Sequence, residues 1–249
     1  MLDTMTLFNA NLKKEFIDRG ETEVLNELCA TYDELLSKKV SIIDNPNNAP
    51  AFTKKRVEFN CKVLQQILLH RAIHLFEASV IALSYRNVYA MVLCIRGHYE
   101  GTASMGYLHQ RITSFIEGTL RFDDFEKCVF IQAIGCRHKS LPKIADPKNI
   151  MTQLDYADKI VDKLFLDNQD THRGILRDNY EFLSEFAHPN FHSNSVAFGV
   201  NKINNCAEFK YDETLKEQEF SLIGYLSISN MIFLWLYDKF SKSLNDFPK

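Results

Sequence analysis

The sequence predicts an all-α protein, an antiparallel helical bundle with a small β-hairpin before the C-terminal helix. Apolar residues recur at helical spacing along most of the chain. Only six prolines and nine glycines occur among the 249 residues, too few for a turn-rich all-β fold. One short region near residue 200 has the two-residue alternation of strands instead. These three observations together favour a bundle with one hairpin.

The whole chain, residues 1–249, is predicted to be a single helical domain. Its first part, residues 1–50, is a helical extension in which leucines at helical spacing predict a helix over 21–37. A loop rich in proline and asparagine at 42–52 separates this extension from the bundle core, residues 53–188.

Two long helices form the predicted core. Thr53 is a good N-cap residue, and the helix that it starts is expected to run to about Tyr85. After a short break at 84–87, a second long helix ends near Gly118. Two helices joined so briefly are expected to pack antiparallel. Shorter helices are predicted to follow from Asp123 or Asp124, at about 149–166 and at about 171–188.

The spacing of apolar residues changes in the C-terminal quarter of the chain. Residues 195–200 and 207–212 alternate with a period of two, and the asparagine-rich connector between them predicts a β-hairpin over 195–212. The last helix is predicted over 214–244. Its most apolar stretch, 222–237, is short for a membrane span and contains two serines and one asparagine, so we expect a core helix there and no membrane association.

Composition narrows the class of function. A net charge of −3 and a pI near 6.2 give no overall basic footprint, so no DNA-specific binding is expected. The six cysteines are scattered without a C-x-x-C pair, and the N-terminus lacks the pattern of a signal peptide, which together predict a cytoplasmic protein with reduced thiols. Neither a phosphate-binding loop nor a G-x-S-x-G nucleophile motif is present.

Two polar rows on predicted helices are the candidate site. Arg96 and Glu100 are four residues apart on the second long helix, and Tyr180, Ser184 and His188 are spaced by four on a later one. If the rows face each other, two interpretations stay open. They form either a structural hydrogen-bond network that fixes helix register, or a site in which His188 acts as an acid, base or ligand and Arg96 holds an anion.

A metal site is a separate hypothesis. Candidate ligands are His70, His74, Glu77, His98, Glu185 and His188. Carboxylate-bridged di-iron bundles use two Glu-x-x-His motifs, whereas this sequence has one, and nearby arginines would oppose a cation. We therefore expect neither a metal nor another cofactor.

The segment AMVLCIRGHYEGTASMGYL, followed eighty residues later by YEFLSEFAHPNF, resembles a group of bacterial helical proteins with an R-x-x-x-E helix and a Y-x-x-L-S-x-x-x-H-P helix end. That group is similar to the HEPN superfamily, whose helical domains occur in RNA-targeting toxins and phage-defence proteins. The positions that match are Arg96, Glu100, Tyr180, Ser184 and His188.

The resemblance implies a homodimer with the histidine-bearing helix ends together. It also shows one departure, because HEPN ribonucleases carry an arginine four to six residues before the histidine. Here that window before His188 contains no arginine, and the nearest upstream one is Arg177. The resemblance therefore implies the fold more than it implies ribonuclease activity.

Three hypotheses of function follow. The first is a HEPN-like cytoplasmic protein whose buried polar cluster binds a nucleotide, RNA or a protein partner in phage defence or stress. The second is a metal-independent endoribonuclease that uses His188 and Arg96. The third is a metal-binding helical bundle with histidine and carboxylate ligands.

Overall fold

The structure is a computed structural model that describes residues 2–46, 50, 53–136, 145–165, 174–209, 211 and 215–247. The described chain is mostly helical and has one two-stranded antiparallel hairpin before its C-terminal helix, so the predicted fold class is confirmed. Some predicted boundaries lie outside the described residues. They are the start of the helix at 171, the end of the hairpin at 212 and the start of the last helix at 214, and the predicted loop end at 52 and helix end at 166 lie outside them too.

The elements follow each other in a simple order. The helices before the hairpin are α1 (Thr4–Leu7), α2 (Ala10–Asp18), α3 (Thr22–Ser37), α4 (Lys54–Ser84), α5 (Val88–Ile116), α6 (Phe122–Ile134), α7 (Ile150–Phe165), α8 (Ile175–Ala187) and α9 (Phe191–Ala197). The hairpin and the helices after it are β1 (Phe198–Asn201), β2 (Cys206–Phe209), α10 (Glu217–Ser221) and α11 (Gly224–Asn245).

Each of the two long helices begins directly after an N-cap residue. Thr53 is the N-cap of α4, and its hydroxyl accepts a hydrogen bond from the backbone N–H of Arg56 at 3.4 Å. Asn87 caps α5 in the same way, through the N–H of Ala90 at 3.0 Å. The short connection makes α4 and α5 neighbours, as the sequence predicts.

Helix α5 is the structural centre of the bundle because it packs against α4, α7, α8 and α11. Its contact with α7 is close: a Cβ built on Gly106 would lie 2.5 Å from the Cβ of Ala157. The N-terminal helices add to the same core. Tyr32 of α3 is fully buried and stacks on Phe76 of α4, with ring centroids 5.0 Å apart.

The segment around the hairpin differs from the prediction. The sequence predicts that residues 195–197 begin a strand, but in the structure they complete α9. Asn190 explains the difference, because its side chain accepts a hydrogen bond from the N–H of Ser193 at 3.4 Å and starts a new helix directly after Pro189. Each strand of the hairpin therefore has four residues, and Phe198 pairs with Phe209.

Two helical stretches, Lys54–Ser84 and Glu217–Asn245, are long and apolar enough to span a membrane by length and composition. In the first stretch, half of the most apolar window is buried inside the protein. In the second stretch, two thirds of the corresponding window is buried. Core helices of soluble proteins pass the same test, so the observation is weak support for membrane association.

Candidate functional site

Helices α5 and α8 bring four of the predicted site residues together. The Nε of Arg96 donates a hydrogen bond to the Ser184 hydroxyl at 3.1 Å, and its Nη2 donates to the Tyr180 hydroxyl at 2.5 Å. The Tyr180 hydroxyl in turn donates to Oε1 of Glu100 at 3.4 Å. The two polar rows of the sequence therefore face each other, and their contact fixes the plane of the Arg96 guanidinium.

A second arginine joins this cluster from α4. Nη2 of Arg71 lies 3.4 Å from Oε2 of Glu100, while Nη1 of Arg96 lies 4.0 Å from Oε1 of the same carboxylate. One carboxylate therefore faces two guanidinium groups, which leaves an excess of positive charge. No sequence pattern marked Arg71, because it meets Glu100 across a helix–helix contact.

The cluster is half-buried, in contrast to the buried cluster that the sequence predicts. The side chain of Arg71 is 50% exposed, that of Arg96 is 26% exposed and that of Glu100 is 33% exposed. Tyr180 alone among these residues is buried. Burial raises the pKa of the Tyr180 phenol although Arg96 acts in the opposite direction, so the phenol stays protonated and can donate its hydrogen bond.

His188 is not part of this cluster. Helix α8 ends at Ala187, and His188 is its exposed C-cap residue with an extended backbone, φ −107° and ψ 149°. The proline that follows favours this conformation. The backbone N–H of His188 donates a hydrogen bond to the Ser184 carbonyl at 3.2 Å. No hydrogen bond or ion pair joins its ring to another described residue.

The position of α8 depends on a residue that the sequence analysis missed. Both carboxylate oxygens of Asp158 on α7 accept hydrogen bonds from the first turn of α8, from the N–H of Leu176 at 2.8 Å and from the N–H of Arg177 at 3.1 Å. Gly174 leaves room for this contact, since a Cβ there would lie 2.2 Å from Oδ2 of Asp158. Burial raises the pKa of Asp158 to about 6, against the lowering effect of the two backbone donors.

Two of the candidate metal ligands, His98 and Glu185, lie apart from each other and have other hydrogen-bond partners. His98 is fully buried in the core, where its Nδ1 lies 2.9 Å from the Ser229 hydroxyl, and burial together with the charge of Arg71 lowers its pKa to about 3. Glu185 accepts a hydrogen bond from Asn190 instead. Within the described part of the chain, no group of three or more histidine, cysteine, aspartate or glutamate side chains could hold a metal ion. The multi-ligand bundle site considered from the sequence is therefore not assembled by these residues.

Two surface clefts lie away from the Arg96 cluster. One, of about 700 Å³, is lined by charged residues such as Glu15 of α2 and Arg19, the C-cap residue of that helix. The other, of about 610 Å³, lies between residues 39–43 and α4 and has His70 in its lining. Neither Arg96 nor His188 is among the residues that line these two clefts.

Comparison with known proteins does not indicate a function for this chain. No protein-family model, curated protein or solved structure matches this chain, so the resemblance to the HEPN superfamily stays a prediction.

Proposed function

We propose that the protein binds a phosphate-bearing ligand, a nucleotide or RNA, at the surface formed by Arg71 and Arg96. The observation that supports this function most is the sharing of Glu100 by two arginines, both of them partly exposed. Guanidinium groups recognise phosphate through paired N–H donors, and a pair of them in one place is a common way to hold a phosphate. The patch is positive although the whole chain is slightly negative.

The geometry suits binding because the Arg96 side chain is already held in place. Tyr180 and Ser184 fix two of its donors from the protein side, which lowers the conformational entropy that a ligand would have to remove. The Tyr180 ring also lies under the guanidinium, 4.6 Å from ring centroid to the central carbon, and restricts it further.

The resemblance to HEPN domains supports RNA as the macromolecular form of this ligand and a role in phage defence or stress. Under the same proposal the protein acts in the cytoplasm as a homodimer, so each dimer would carry two of these patches. A protein partner with an acidic surface is the competing occupant of the patch, and competition with RNA distinguishes the two.

Fluorescence anisotropy with a labelled single-stranded RNA tests the proposal. We expect Arg71→Gln to weaken binding by about tenfold or more, because a hydrogen bond to a charged group contributes about 1.5–3 kcal/mol. Arg121→Gln is the matched control, since Arg121 is an exposed arginine on a distant turn that is paired with Asp123. Equal RNA affinity of the wild type and Arg71→Gln would refute the proposal.

The endoribonuclease hypothesis needs His188 and Arg96 to act on one substrate. The structure provides no observation that favours it, since the two residues share no contact among the described side chains. Incubation of labelled RNA with the wild type and with His188→Ala separates binding from cleavage. Wild-type products that disappear in His188→Ala would establish the nuclease instead of a pure binding protein.

A further inference from the structure

Two histidines on α4 form a close pair outside the Arg96 cluster. His70 and His74 are one helical turn apart and both are exposed. Their Nε2 atoms are 3.1 Å apart, and their ring centroids are separated by 4.3 Å at an angle of 63°. The nitrogen atoms that would bind a metal ion therefore already converge on one point.

A carboxylate lies next to one of the two rings. Nδ1 of His74 lies 3.3 Å from Oε2 of Glu77, which is buried. The other oxygen of Glu77 accepts hydrogen bonds from the Tyr32 hydroxyl at 2.7 Å and from the backbone N–H of Leu2 at 3.1 Å. These two donors fix Glu77 with its second oxygen 3.3 Å from Nδ1 of His74, and a carboxylate beside Nδ1 favours the tautomer with the proton on Nδ1 and the lone pair on Nε2.

We propose that His70 and His74 form a two-histidine chelate for a divalent transition-metal ion of the nickel, copper or zinc class, with Glu77 as the carboxylate that orients His74. Metal–imidazole bonds are about 2.0–2.1 Å long, so two nitrogen atoms 3.1 Å apart subtend an angle of roughly 100° at the metal. That angle suits tetrahedral and square-planar ions. Imidazole ligands favour this class of ion over calcium and magnesium, which prefer oxygen ligands.

The arrangement Glu77–His74–metal has the chemistry of established metal sites. A ligating histidine commonly donates its other ring N–H to a carboxylate, which raises the basicity of the ligand and fixes its orientation. The exposure of both rings leaves the other coordination positions open to water or to a ligand from solution. The proposed site has two protein ligands, fewer than the groups of three or more that are absent from the described chain.

The charges around the pair also allow a cation. The carboxylate of Glu77 is next to His74 and offsets the positive charge of the neighbouring Arg71, which shares the Glu100 carboxylate with Arg96. The metal proposal does not rest on phosphate binding. The two histidines contact each other and Glu77, whereas Arg71 contacts Glu100. RNA binding measured in a chelating buffer therefore tests one proposal, and metal titration without RNA tests the other.

Isothermal titration of NiCl₂ into the full-length protein, previously stripped with a chelator, is the decisive experiment. We expect one equivalent to bind the wild type, and that event to disappear in both His70→Ala and His74→Ala. Glu77→Gln should weaken it by about tenfold or more, as loss of an orienting carboxylate does. His192→Ala is the matched control because His192 is an exposed histidine on another helix, and it should bind like the wild type.

A spectroscopic readout separates this site from the six thiols, which all variants keep. With one equivalent of Cu²⁺, electron paramagnetic resonance should show coupling to two imidazole nitrogens in the wild type and to fewer in His70→Ala. Nickel affinity in His70→Ala equal to that of the wild type would overturn the proposal, and so would a wild-type protein that binds no nickel.

Discussion

Replacement of Asp158 should loosen the helix that carries Tyr180 and Ser184. The Asp158 carboxylate accepts two backbone hydrogen bonds from the first turn of α8, and one of the donors belongs to the buried Leu176. Asp158→Ala leaves both N–H groups without this acceptor. The residue acts as a helix cap supplied by another helix, so its loss combines the loss of a cap with the burial of an unpaired donor.

The magnitude follows from those two bonds. Loss of a capping side chain costs about 0.5–2 kcal/mol, and a buried donor left without a partner costs about 1–3 kcal/mol. Because the two costs overlap at the same N–H groups, we expect the free energy of unfolding to fall by roughly 2–3 kcal/mol in Asp158→Ala. For a chain of 249 residues that corresponds to a melting temperature lower by about 4–12 °C.

Urea unfolding followed by circular dichroism at pH 7 measures this loss, and Asp158→Asn is its control. The asparagine keeps one acceptor oxygen and removes the cost of burying a charge, so it should lose less than half as much stability as Asp158→Ala. Equal stability of Asp158→Ala and the wild type would refute the role of Asp158 as the cap of α8. Equal losses in the two variants would show that the charge, and not the acceptor geometry, matters.

Two further predictions concern the core. Gly106→Ala should destabilise the protein by about 1–3 kcal/mol in thermal unfolding, since its Cβ would meet Ala157 of α7, whereas Gly101→Ala in the same helix has nothing within 4 Å and should gain stability. The lowered pKa of His98, about 3, predicts stability that is complete above pH 6.5 and is lost as the pH falls toward 3, by about 1 kcal/mol per pH unit. Asp158, with its raised pKa of about 6, acts in the opposite sense and stabilises the fold as the pH falls below 6. From pH 7 to pH 5 the urea midpoint of His98→Gln should therefore rise relative to that of the wild type, and an identical change in the two proteins would contradict the assignment.

The sequence predicts most helices well because their ends are set by local chemistry. Thr53 caps α4 at the predicted residue, and the break at 84–87 lies where the structure places the turn between α4 and α5. The helix α9 was missed although its signal is present. Asn190 follows Pro189 and can cap a new helix, but the alternation of the next residues favoured a strand.

Residues of the candidate site can be predicted from the sequence only where they are four apart on one helix. Arg96 with Glu100, and Tyr180 with Ser184, each occupy one helical face, so a contact between two helices brings all four together. Asp158 is 18 residues away from Leu176, whose backbone N–H donates to it, and Arg71 is 29 residues away from Glu100. Such pairs depend on how helices pack, and a single sequence does not encode that packing in a readable pattern.

The two interpretations that the sequence left open for the polar rows make different predictions for Arg96 and Arg71. Arg96 contributes to the fold, because Tyr180 and Ser184 use its donors to hold α8 against α5. Arg71 is 50% exposed and contacts only Glu100 within the cluster, so the register of the helices does not depend on it. A purely structural network therefore predicts that Arg71→Gln changes neither stability nor binding. A phosphate site predicts that the same variant keeps its melting temperature and loses its ligand, so this one substitution distinguishes a structural role from a functional one.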